Sequence, residues 1–115
     1  MIEEAYVSFE TAKRLKEKGF GECSASYISE DGDIFPTPLV KRKEHYPAPT
    51  QQMAMRWLRE VHHLIIIITW TGYEGLVSWD VDNMENGDFT NIDEEYQSYE
   101  EAVEAALKYS LINLI

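Results

Sequence analysis

The run Leu64-Ile65-Ile66-Ile67-Ile68-Thr69-Trp70 constrains this chain more than any other segment. Consecutive isoleucines favour extended backbone, because a branch at Cβ packs well on a pleated surface and loses rotamer freedom in a helix. Successive strand side chains point to opposite faces, so an unbroken apolar run asks for cover on both. The reading is a buried, central strand, with helices on both faces or with one face against a second copy of the chain. The aliphatic stretch Leu64 to Ile68 is far shorter than the roughly 20 residues needed to span a bilayer.

With 115 residues and 44% apolar content, the chain has the length and the core-forming residues of one domain. Met1-Ile2-Glu3-Glu4 shows neither a basic region nor an apolar stretch of the secretory type. The single cysteine, Cys23, has no partner for an internal disulfide. Both points lead to the expectation of a reducing cytoplasm.

Charge is polarised along the chain. Residues 1–60 hold ten acids and nine bases, whereas residues 61–115 hold eleven acids and only Lys108 as a base, a net of −10. No basic footprint for phosphates is present, so direct nucleic-acid binding is not expected. Clustered on one face, those acids would suit a decoy that imitates nucleic acid and blocks a DNA-binding protein.

Local signals set out the elements. Ser8 caps a predicted helix to Lys18 with Phe9, Ala12 and Leu15 on its apolar stripe, and Gly19 stops it. Ser24 to Ser29 reads as a strand, turned by Asp31-Gly32 into a short return strand at Ile34-Phe35, with Pro36 and Pro38 confining it to an edge. Lys41 to Pro49 reads as an exposed, basic, proline-bearing loop. A second helix runs from Gln51 to His62 with Thr50 as cap and Ala54, Trp57, Leu58 and Val61 facing inward. After the isoleucine strand, Gly72 to Gly75 turns into an alternating strand, Leu76 to Asp82. A polar loop from Asn83 to about Gln97 then leads to a last helix, opened by the capping box Ser98-Tyr99-Glu100-Glu101. Its apolar face is Tyr99, Ala102, Val103, Ala106 and Leu107. The expected fold is α+β, order α-β-β-α-β-β-α, with three helices on a four-stranded, mainly antiparallel sheet.

Candidate chemistry is sparse. Glu60 and His63 share a helical face while His62 points elsewhere and His45 lies outside the helix, a thin basis for a metal-assisted hydrolase because zinc needs three or four supported ligands. Asp82 to Asp88, with Asp93 beyond, has the glycine of a calcium loop but puts Met84 at a ligand position. Glu22 beside Cys23 disfavours a thiolate. No nucleophile motif or phosphate loop is present, so no cofactor is implied and the balance falls against an enzyme. Trp57 is expected in the core. An interaction surface is expected from His45, Tyr46, Trp70, Tyr73, Trp79, Asp80 and Asp82, since a surface Trp of the paired strands beside Tyr73 would make a platform for a partner.

Three patches carry a resemblance. They are Tyr6-Val7-Ser8-Phe9-Glu10-Thr11-Ala12 with Leu15 and Gly19-Phe20, then Ala48-Pro49-Thr50 into Trp57-Leu58-Arg59-Glu60-Val61-His62, and Tyr99 to Leu107. In these the chain resembles small phage and prophage proteins of gut bacteria that have no assigned activity. The resemblance implies an accessory protein of a mobile element, acting in a bacterial cytoplasm. The expected function is protein–protein contact with an unidentified partner, with no membrane role and with self-association into a homodimer as its accompaniment.

Overall fold

The computed structural model describes residues 5–20, 26–35, 45–72, 74–92 and 94–115. Helix α1, Phe9–Glu17, starts where Ser8 accepts a hydrogen bond from the Thr11 amide. It ends in a Schellman motif: the Phe20 amide donates to the Leu15 carbonyl at 2.9 Å and the Gly19 amide to that of Lys16 at 3.1 Å. Gly19 takes the φ of 97° that this closure requires, and Phe20 folds back edge-on to Trp57, 5.5 Å between ring centres.

Strands β1, Tyr27–Ser29, and β2, Ile34–Phe35, form the expected hairpin. Its turn differs from the two-residue type that Asp31-Gly32 suggests. The Gly32 amide donates to the Ser29 carbonyl and the Ser29 amide to that of Asp33, with φ of 87° at Gly32. That pattern is a three-residue loop with glycine in the bulge position.

A further strand was not read from the sequence. β3, His45–Pro47, lies antiparallel on the other side of β1, pairing Ile28 with Tyr46. The stretch taken as an exposed loop is therefore a strand from His45, and Ala48 and Pro49 after it are buried. Pro47 sits in an edge strand, where its missing amide hydrogen leaves no central ladder bond unmade. Lys41 to Glu44, Pro36, Pro38 and Ser24 lie outside the described residues.

Helix α2, Gln51–Val61, is capped by Thr50, which accepts from the Met53 amide. Ala54, Trp57 and Leu58 are buried as expected, but Val61 is 53% exposed, at the last turn where the helix leaves the core. β4, Leu64–Trp70, pairs antiparallel with β5, Val77–Asn83, which in turn pairs with β6, Phe89–Asn91. β6 lies within the expected loop of residues 83 to 97, too short and polar to be read as a strand. Helix α3, Tyr99–Tyr109, is capped by Ser98 and runs on as a π-helical segment, Ser110–Leu114. Its inner face is as expected except at Tyr99, which stands exposed in the first turn.

The α+β class therefore holds, but the single four-stranded sheet does not: the described residues form two three-stranded antiparallel sheets, ordered β2-β1-β3 and β4-β5-β6. The isoleucine strand is an edge strand and not a central one. Leu64 and Ile66 are buried with Trp79 and Val81 in a core that also takes Ala102, Val103, Ala106 and Leu107 of α3. Helices thus cover one face of the β4-β5-β6 sheet.

A polar knot ties the helices together. Glu104 Oε1 accepts from the Thr11 hydroxyl at 2.6 Å and from the Ser8 amide at 3.0 Å. Gln51 Nε2 donates to the Glu100 carbonyl at 3.0 Å and reaches Glu104 Oε2 at 3.4 Å. Thr11 and Gln51 are buried, so these groups meet each other in place of water.

Candidate interaction surface

Alternation along β4 and β5 sorts their residues onto two faces. The register Ile66↔Val81 and Ile68↔Trp79 stacks the helix-covered face, whereas Ile65↔Asp82 and Ile67↔Asp80 lie on the other. β6 adds Phe89 beside Asp82 and Asn91 beside Asp80 to that second face. Ile67 is 39% and Phe89 74% exposed there, and Asn91 Nδ2 donates to Asp80 Oδ1. Among the described residues no element covers this face. On it Asp80 and Asp82 of the central strand lie between Ile65 and Ile67 of β4 and Phe89 and Asn91 of β6.

Exposure also rises along β4. Leu64 is 3% and Ile66 7% exposed, but Trp70 at the far end is 69% exposed. Trp70 has the inward parity of Leu64 and Ile66, yet the strand has run past the helices by then. Trp79 is a correction to the expected surface, being 1% exposed. Its indole lies 5.4 Å from the Tyr109 ring, and its Nε1 donates to the Tyr96 hydroxyl at 3.5 Å. Burial pushes the Tyr96 phenol above its ordinary pKa; the Trp79 hydrogen bond opposes that shift and Glu94, to which Tyr96 donates at 2.8 Å, reinforces it.

The remaining surface residues do not join this patch. Tyr46 belongs to the other sheet, packed on Phe9 at 5.4 Å with the Lys16 ammonium 5.6 Å from its ring centre. His45 contributes its backbone to β3; its side chain, like Tyr73, lies outside the described residues. Of the expected surface residues, Asp80 and Asp82 lie on the open face, and Trp70 is exposed at the end of β4 on the opposite face. Phe89, in a stretch whose polar composition is that of a loop, is the most exposed apolar residue of this open face. Alternation of Phe89 and Asn91 about Thr90 was its only local signal.

The metal and catalytic candidates disperse. Glu60 pairs with Arg56 at 3.0 Å, His62 lies edge-on to Trp57 at 4.7 Å, and His63 reaches Glu85 at 3.3 Å. His63 adopts a φ of 57°, which turns it away from its neighbour at the helix end. Burial, with the charges of His63 and Lys18, lowers the His62 pKa. Among the described residues no three His, Cys, Asp or Glu side chains converge as metal ligands would. Cys23 and Asp93 lie outside the described residues. The segment read against a calcium loop is a hairpin turn in which Asn83 Oδ1 accepts from the Glu85 and Asn86 amides at 2.9 and 3.2 Å. Shallow hollows of about 190 Å³ beside α2 and about 400 Å³ beside α3 are lined by Met53, Arg56 and Glu60 and by Tyr96, Glu101 and Lys108, with no nucleophile-and-base pair in either.

Among the described residues the acids of 61–115 do not gather on one face. Asp80 and Asp82 lie on the open face, Glu85 and Asp88 at the β5–β6 turn, Glu74 at the opposite β4–β5 turn, and Glu100, Glu101 and Glu104 on α3 across the sheet. No helix of the described residues is long and apolar enough to cross a membrane. Comparison with protein-family models, curated proteins and solved structures finds no match.

Proposed function

We propose that this chain is a non-enzymatic accessory protein that works by protein–protein contact through the uncovered side of the β4-β5-β6 sheet. One observation carries the reading: on that side Ile67 and Phe89 stand 39% and 74% exposed, with no described element over them. Large aromatics anchor interfaces because each brings a wide apolar area into contact at little conformational cost. Removing a Phe side chain from water is worth about 1.5–3 kcal/mol, so the patch can supply binding energy that the bare surface forgoes. The patch resemblances around Tyr6, Trp57 and Tyr99 support a phage or prophage origin and a bacterial cytoplasm as its setting. The decoy reading draws no support from acids that lie on both sides of the sheet.

The test is capture from nuclease-treated bacterial lysate by the tagged protein, compared with a Phe89→Ser variant of unchanged circular dichroism. A partner retained at high salt and lost with the variant is the expected result. Equal capture by both proteins would remove the sheet from the reading. Turnover of a substrate that depends on His62, His63 or Cys23 would remove the reading altogether.

A further inference from the structure

From the edge position of β4 we infer that the chain forms a homodimer in which two β4 strands pair antiparallel about Ile67, joining the two β4-β5-β6 sheets into one six-stranded sheet. This rests on the reading that this sheet is the contact surface, and names a second copy as an occupant of its edge.

Backbone geometry provides the first argument. The Met84 amide donates to the His63 carbonyl and the Thr71 amide to that of Leu76. In an antiparallel ladder hydrogen-bonded pairs alternate, so between those ends Ile65, Ile67 and Thr69 bond to β5. The amides and carbonyls of Leu64, Ile66, Ile68 and Trp70 then point away from β5, along an edge with no paired strand among the described residues. Such a row is a template for another strand.

The second argument is what the edge can accept. Ile67 is the midpoint of Leu64–Trp70. Two-fold pairing about it sets Ile66 opposite the partner's Ile68 and Leu64 opposite the partner's Trp70, so every outward amide and carbonyl of both strands is matched. Trp70, the most exposed large apolar residue of β4, gains an apolar neighbour. Ile67 meets its own copy on the open face, at the closer spacing of a non-hydrogen-bonded pair.

Charge decides between edge pairing and stacking of the open faces. β4 itself carries no charged residue, although the chain has a net charge of −11. Edge pairing leaves Asp80 and its copy three strand spacings apart, about 14 Å at roughly 4.8 Å each. That exceeds the screening length of about 8 Å at physiological salt. Stacking the open faces would instead confine Asp80 and Asp82 of both copies between sheets about 10 Å apart, with carboxylates desolvated against one another.

The test uses full-length protein with Cys23→Ser. Sedimentation equilibrium at tens of micromolar is expected to give the dimer mass. Ile67→Lys sets like charges face to face at the axis and is expected to weaken association at least about tenfold. Ile67 is 39% exposed, so the variant should keep its circular dichroism. Ile67→Cys should give a covalent dimer on mild oxidation, because its Cα separation of about 4.5 Å suits a disulfide. Thr69→Cys should give none, its copy lying four residues away, about 13 Å along the strand. A monomer at about 200 μM overturns the dimer, as does undiminished association of Ile67→Lys. A cross-link from Thr69→Cys and not from Ile67→Cys overturns the register. Sheet-dependent capture of a lysate protein by a monomeric chain would sink the dimer and leave the contact reading standing. A dimer with no such capture would do the reverse.

Discussion

The Thr11 hydroxyl donates a 2.6 Å hydrogen bond to Glu104 across 93 residues of sequence, and the same carboxylate oxygen accepts the Ser8 amide at the start of α1. One side chain of α3 therefore helps to seat the first turn of α1, while its second oxygen lies near Gln51 at the start of α2. Removing it leaves a buried hydroxyl and a carboxamide with fewer partners. Glu104→Ala should lower stability by about 1.5–3 kcal/mol, a fall of several degrees in Tm. A double-mutant cycle with Thr11→Val, read by urea unfolding, should show a coupling of at least about 0.5 kcal/mol.

Gly19 closes α1 at a φ of 97° with no atom within 4 Å of where a Cβ would stand. Space is not the obstacle to a side chain there; the left-handed backbone is. Gly19→Ala should cost about 1–2 kcal/mol, and Gly19→Asn less, because asparagine tolerates this conformation better. Thermal unfolding of the pair separates conformational cost from crowding.

Trp70 and Trp79 should respond in opposite ways. Trp79, at 1% exposure, should lose about 3–5 kcal/mol on truncation to alanine. Tyr96→Phe should cost about 1–3 kcal/mol by stranding the Trp79 indole. Trp70→Ala should stay within about 0.5 kcal/mol in stability, while its quenching by iodide, present in the wild type, disappears. Equal effects of the two tryptophan variants on unfolding would contradict their placement.

The folded chain favours neutral His62, because burial first, then the His63 and Lys18 charges, lower its pKa. The unfolded chain binds a proton there at about pH 6.5, so the unfolded state takes up protons first as pH falls. This contribution is fully present above about pH 6.5 and is lost as pH drops through that value towards the folded pKa. The urea midpoint should therefore fall between pH 7.5 and 5.5, and His62→Phe, which keeps the aromatic contact with Trp57, should flatten that fall.

Signals confined to a few residues were legible in the chain itself. Ser8, Thr50 and Ser98 each accept from an amide three residues on, and Gly19 stops α1, because caps and stops depend on backbone within one turn. Periodicity likewise picked out Ala54, Trp57, Leu58, Ala102 and Leu107 as core. Strand β3 was hidden because Pro47 and its basic flank carry the composition of a loop. β6 was hidden because three residues, Phe89-Thr90-Asn91, make too short an alternation to stand out.

By itself, then, the sequence determined the α+β class, the three helices with their caps, both expected hairpins and the acidic, uncharged-in-β4 second half. Those features follow from residue chemistry over short separations. Tertiary structure alone decided that the strands divide into two sheets, that β4 lies at an edge, that Trp79 is buried while Trp70 is not, and that Glu60, His62 and His63 face three different neighbours. Strand order and face coverage depend on which distant segments meet, and an apolar run reads the same whether its second face ends up under a helix or open to water.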